Sequence, residues 1–201
     1  MFEIQVSKSV LGAVESSPLG IARLEVLASL KLCSMPTLKT TLSRLNKAGK
    51  IIRLMRGAYS ASPMRDAYAC AQAVFAGYIG FAAALHVHGI ISEMPFTVAV
   101  VTAGGSKVKR FGQYEFRAVA LGEKAVGFEK KDGRVVSTAA KTLFDCIYAP
   151  EYSVERERLI GAYRDRGMKR EEWEEFDAYV GKFASAKMAR RMQRAKEEIW
   201  V

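Results

Sequence analysis

The chain runs to 201 residues, half of them apolar, a length and composition that mark a globular protein of one large domain or two small ones. Its 31 lysines and arginines against 21 acidic residues leave a formal charge of +10, which favours a polyanionic partner, nucleic acid before an anionic membrane. Three scattered cysteines, Cys33, Cys70 and Cys146, exclude a disulfide framework and a CxxC metal knuckle; with an opening, Met1 to Gln5, that lacks the basic segment of a secretory leader, they predict a reduced, cytoplasmic setting.

Val10, Leu11 and Val14 give a first helix a short apolar face, closed by Pro18 and Gly20. Ile21, Leu24, Leu27 and Ala28, continued by Leu30 and Leu32, repeat at helical spacing and predict a second. A third is expected to start behind Ser34, whose hydroxyl can accept a backbone N–H ahead of Pro36. It stops before Gly49, with Lys47 suited to the negative end of the helix dipole. Leu38, Leu42 and Leu45 share one face of this helix, which leaves Thr40, Ser43, Arg44 and Lys47 on the opposite face and Thr37 and Lys39 at its margins. Arginine and lysine reach guanine edges and phosphates, threonine and serine reach phosphates and bases, so this is the residue set of a major-groove reader.

Lys50 to Tyr59 reads as strand, tight turn at Gly57 and strand: a wing that carries Arg53 and Arg56. Between Glu25 and Asp66 there is no carboxylate, whereas Lys31, Lys39, Arg44, Lys47, Lys50, Arg53, Arg56 and Arg65 all fall there. Helix, turn, capped helix and basic hairpin in this order predict a winged helix-turn-helix domain over residues 1–62, ended by the small-residue stretch Ser60 to Pro63. Its expected ligand is duplex DNA, held by Thr37, Lys39, Thr40, Ser43, Arg44, Lys47, Lys50, Arg53 and Arg56.

Residues 63–201 read as a mixed α+β domain that ends in helices, so the fold class is α+β. Residues 67–92 carry no formal charge, but Gln72, His86, His88 and three glycines make them too polar for a membrane span, and no membrane partner is expected. Phe81 to His88 predicts a helix ending at Gly89, and Phe96 to Val101 a buried strand. Tyr114, Phe116 and Ala118 alternate with Glu115, Arg117 and Val119 as a half-exposed strand; Asp132 and Gly133 mark a hairpin turn. Ser137 is expected to cap a helix through Tyr148, with Lys141 and Asp145 paired on its surface. Leu159 and Tyr163, then Trp173, Phe176 and Val180, then Met188, Met192, Ala195 and Ile199 form apolar stripes broken at Gly167 and near Ser185. The acids of this tail largely cancel its lysines and arginines, and its charged side reads as solvated helix surface.

Candidate chemistry is sparse. His86 and His88 diverge on a helix and have no acidic or cysteine cluster to complete a metal site, so one is expected to pack inside and the other to be exposed. Thr102 to Gly112 is glycine-rich but lacks phosphate-loop spacing; it reads as a hairpin turn whose Lys107, Lys109 and Arg110 offer a second nucleic-acid contact. With no GxSxG elbow, paired carboxylates or Cys–His pair, no catalytic residue, metal or cofactor is assigned and no enzyme is expected.

Four blocks in fixed order resemble a known family: the N-terminal winged helix; Tyr78-Ile-Gly-Phe-Ala-Ala-Ala-Leu-His-Val-His-Gly-Ile90; Val98-Ala-Val-Val-Thr102 with the basic hairpin to Phe116; and Val136-Ser-Thr-Ala-Ala-Lys-Thr-Leu-Phe-Asp145. The chain is similar over residues 20–150 to the AbiEi-type antitoxins of type IV toxin-antitoxin systems. The resemblance implies a transcriptional autorepressor whose operator surface is the basic face of residues 37–56. It also implies a second domain that counteracts a nucleotidyltransferase-like toxin encoded beside it. Two other classes fit the residues: a nucleic-acid-processing enzyme targeted by the winged helix, which needs a carboxylate cluster not found here, and a winged-helix module for RNA or protein.

Overall fold

Val6, Val10 and Val14, four residues apart, turn one stripe of α1 (Phe2–Glu15) into the core of the first of two units. The computed structural model describes residues 2–200, and the two units divide after Val74. Ser17 to Gly20 form a tight turn in which Leu19 and Gly20 take φ values of 55° and 70°. The chain leaves it extended, so Ile21–Arg23 is a strand, β1, and not the start of the helix that the apolar spacing predicts. Pairing overrides periodicity here: Ile21, Ala22 and Arg23 lie antiparallel to Ser60, Tyr59 and Ala58. α2 is reduced to Leu24–Ser29, and Leu30 and Leu32 lie beyond it, exposed.

α3 (Met35–Lys47) has the bounds its end signals dictate. The Ser34 hydroxyl accepts the Thr37 N–H, Pro36 occupies the first turn, and Gly49 takes a φ of 67° just past the C-terminus. Leu38, Leu42 and Leu45 are buried against α1, together with Thr41. Each such leucine contributes about 1.5–3 kcal/mol. β2 (Ile51–Met55) and β3 (Ala58–Ala61) form the hairpin, and the sheet order is β1-β3-β2. α4 (Ala67–Val74), capped where Asp66 Oδ1 accepts the Ala69 N–H, packs on β1 and β2, with the Cys70 thiol 3.4 Å from the Ser60 hydroxyl. The first unit therefore runs past the boundary expected near residue 62.

The second unit is built on a six-stranded mixed sheet of order β6-β7-β5-β4-β9-β8: β4 (Tyr78–Ile79), β5 (Thr97–Thr102), β6 (Lys107–Phe111), β7 (Tyr114–Ala120), β8 (Phe128–Lys131) and β9 (Arg134–Ser137). Asp132 and Gly133, at φ 50° and 76°, make the predicted turn between β8 and β9. The stretch Thr102 to Gly112, expected as a hairpin turn, is in part strand: Lys107 to Phe111 pair with β7, and the chain reverses at Gly112. α5 (Phe81–Val87) ends at His88 and Gly89, as its sequence predicts.

α6 (Ala139–Tyr148) is buried from Ala139 to Ile147, its polar residues Lys141, Thr142 and Asp145 included, because it packs against both α5 and α8. Its cap is Thr138, whose hydroxyl accepts the Lys141 N–H at 3.1 Å. Ser137 stays in β9 and shares a 2.7 Å hydrogen bond with the Thr142 hydroxyl. Lys141 and Asp145 are not a surface pair: both side chains are fully buried. The tail helices α7 (Arg156–Arg166), α8 (Arg170–Phe183) and α9 (Ala186–Trp200) break where predicted and complete this core through Leu159, Tyr163, Trp173, Phe176, Met192 and Ile199. The Tyr163 hydroxyl donates to the Ala139 carbonyl at 2.7 Å. Among the described residues no helix is long and apolar enough to cross a membrane.

Candidate nucleic-acid interface

With one side of α3 committed to leucine packing, its other side must face outward. Thr37, Lys39, Thr40, Ser43, Arg44 and Lys47 are all exposed, as are Lys50 ahead of β2, Arg53 within it and Arg56 at the turn. All nine belong to the first unit. Gly57 takes a φ of 77°, the conformation the turn requires, and its carbonyl accepts the Leu24 N–H at 2.8 Å. The hairpin is thus fastened to the start of α2.

Two residues of this region went unnoticed in the sequence. Asn46 Oδ1 accepts the backbone N–H of Arg53 at 2.8 Å, a direct tie from the last turn of α3 to the hairpin. Glu25, the last acid before the carboxylate-free window, lines the same concavity as Lys39, Ser43, Asn46, Arg53 and Arg56, a hollow of about 640 Å³ between α3 and the hairpin. A polar residue one position before Lys47 and an acid just outside the basic window were the available signals.

Lys107, Lys109 and Arg110 lie on β6, an edge strand of the second unit, and all three are exposed. Arg110 is partly neutralised by Glu115 at 3.0 Å, and Glu115 also binds Arg117 at 2.6 Å. These arginines hold the Glu115 carboxyl below its ordinary range. Lys107 and Lys109 point to the face opposite Arg110, following strand alternation.

The histidines do not sort into one inside and one outside; both are half-buried. His88 donates from Nε2 to the Ser137 carbonyl at 2.6 Å, and its Nδ1 accepts from Lys131 Nζ at 3.4 Å. Burial, together with the Lys131 charge, pushes its imidazole below the usual range against that carbonyl's opposing pull. Among the described residues no three His, Cys, Asp or Glu side chains cluster as a metal site.

Lys141 is fully buried in the core of the second unit. Its ammonium donates to Asp145 and, at 3.3 Å, to the Tyr78 hydroxyl, and it sits 5.3–5.9 Å from the ring centres of Phe144, Tyr78 and Tyr179. Burial raises the Asp145 carboxyl to about 6 and lowers the Lys141 ammonium, each partner opposing the other's shift.

No protein-family model matches this chain, and no curated protein matches it in sequence.

Proposed function

We propose that the first unit is a winged helix-turn-helix and that the chain is a DNA-binding autorepressor of the AbiEi antitoxin kind. The observation that carries the reading is the outward side of α3. It presents Thr37, Thr40, Ser43, Arg44 and Lys47, continues into Arg53 and Arg56 of the hairpin, and lies in a stretch of 40 residues, 26–65, without one carboxylate. In this reading α3 enters the major groove, Arg44 and Lys47 meet base edges or phosphates, and the hairpin arginines grip the backbone or minor groove beside it. The Asn46–Arg53 bond keeps hairpin and helix in register, so both reach the duplex at once.

The antitoxin part rests on the resemblance of residues 78–145. The second unit then counteracts a nucleotidyltransferase-like toxin, and Lys107 and Lys109 on β6 supply a further basic contact. The experiment is an electrophoretic shift of the DNA preceding the chain's own coding sequence, paired with a reporter driven by it. Retarded duplex and a silenced reporter support the proposal; equal affinity for unrelated DNA with an unaffected reporter rejects it. Rescue of growth when the chain is co-expressed with a neighbouring nucleotidyltransferase-like product tests the antitoxin role separately.

A further inference from the structure

The charges of the tail nearly cancel in number but not in place. From Ala178 to Lys196 the chain holds no carboxylate, while Lys182, Lys187, Arg190, Arg191, Arg194 and Lys196 all fall there. Most of these lie on α9, whose inward side, Met192, Ala195 and Ile199, closes the core of the second unit. Lys187, Arg190, Arg191 and Arg194 recur at three- and four-residue spacing along its exposed side, so like charges are neighbours. The preceding helices do the opposite. Arg170 bonds Glu174 at 2.8 Å and Arg166 bonds Glu172 at 2.6 Å.

Arg190, Arg191 and Arg194 face a hollow of about 540 Å³ that they share with Arg156 and Glu198. Arg156 grips Glu198 with two hydrogen bonds of 2.7 and 2.9 Å, so that pair is internally neutral. Lys196 is turned away to Asp177, at 2.7 Å. Three guanidiniums therefore line one concavity outside every ion pair described among residues 2–200, with Arg194 sensing Glu198 at longer range.

We propose that this hollow is a second polyanion site, one that binds the phosphodiester backbone of nucleic acid without regard to base sequence. Guanidinium forks match phosphate oxygens two at a time. Among the described residues no aromatic side chain lines the hollow, so it offers a base no stacking shelf and favours the phosphate backbone. Arginines one helical turn apart suit a row of phosphates better than a single anion. The site is independent of the reading of the first unit.

The test uses the full chain and labelled mixed-sequence duplex DNA and RNA of equal length, followed by anisotropy at several salt concentrations. Arg190→Gln, Arg191→Gln and Arg194→Gln are introduced together, both in the wild-type chain and beside Arg44→Ala and Lys47→Ala. The side chains are exposed, and far-UV circular dichroism and Tm verify the fold. The triple variant is expected to bind at least about tenfold more weakly, with the log–log salt slope shallower by about 2–3. The double background is expected to retain binding that the triple change removes. Loss on both polymers, or on one, supports the site and names its source. Unchanged binding of both overturns it, as does weakened binding of polyglutamate alone, which would assign the hollow to an acidic protein. Operator recognition by α3 is expected to survive the α9 substitutions, so the two proposals fail separately.

Discussion

Asn46 on the last turn of α3 accepts the backbone N–H of Arg53 on β2 at 2.8 Å, joining the element that presents Lys39, Arg44 and Lys47 to the one that presents Arg53. Asn46→Ala removes the acceptor and is expected to lower stability by about 0.5–1.5 kcal/mol in urea titration. Affinity for duplex DNA should fall as well, because the hairpin loses its fixed position. Asn46→Asp restores an acceptor but adds a negative charge. It should recover stability and not affinity; full recovery of both would remove the bond from the binding account.

Among the described residues, Glu25 is the only carboxylate lining the concavity between α3 and the hairpin. Its replacement by Gln should strengthen binding to every duplex alike, by up to about fivefold at low salt, with the gain fading as salt rises. A weaker-binding Glu25→Gln variant would place the phosphates elsewhere.

Lys141 and Asp145 form an ion pair with both side chains fully buried, so removing one partner leaves the other charge stranded. Lys141→Met should destabilise the chain by about 3–5 kcal/mol in urea titration, whereas Lys141→Met with Asp145→Leu should recover most of that loss. Equal destabilisation by the single and double variants would show that the two residues act separately.

His88 is held neutral, with Nε2–H on the Ser137 carbonyl and Nδ1 toward Lys131. Its folded pKa lies below the ordinary 6.5, so the unfolded chain takes up this proton first, and stability from His88 is lost as pH falls through 6.5 toward the folded value. Asp145, raised from 3.8 to about 6, acts in the opposite sense and adds stability as pH falls from 6 to 3.8. His88→Gln isolates the first effect. The wild-type advantage over the variant should shrink between about pH 7.5 and 5.5, and a constant difference would mean that His88 titrates normally.

What the sequence made legible was locally encoded. α3 could be bounded because Ser34, Pro36, three leucines and Gly49 each act within a turn or two of themselves. β1 could not, since Ile21 continues an apolar run and its strand identity comes from Tyr59 and its neighbours far along the chain. Spacing alone placed Lys141 and Asp145 together but could not say on which side of the surface, because burial of α6 is decided by α5 and α8. The exposed face of α3 followed directly from its leucine stripe. The Asn46 tie required knowing where the hairpin folds back. The arginines of α9 were hidden by a count of charges that nearly balances over the whole tail while separating along it.

The central claim is that the outward face of α3 holds duplex DNA, and its most direct test is equilibrium anisotropy on the duplex preceding the chain's own coding sequence. Wild type is compared with Arg44→Ala/Lys47→Ala across a salt series. The double variant is predicted to bind at least about tenfold more weakly, with a salt slope shallower by up to about 2. Affinity and slope equal to those of the wild type would contradict it.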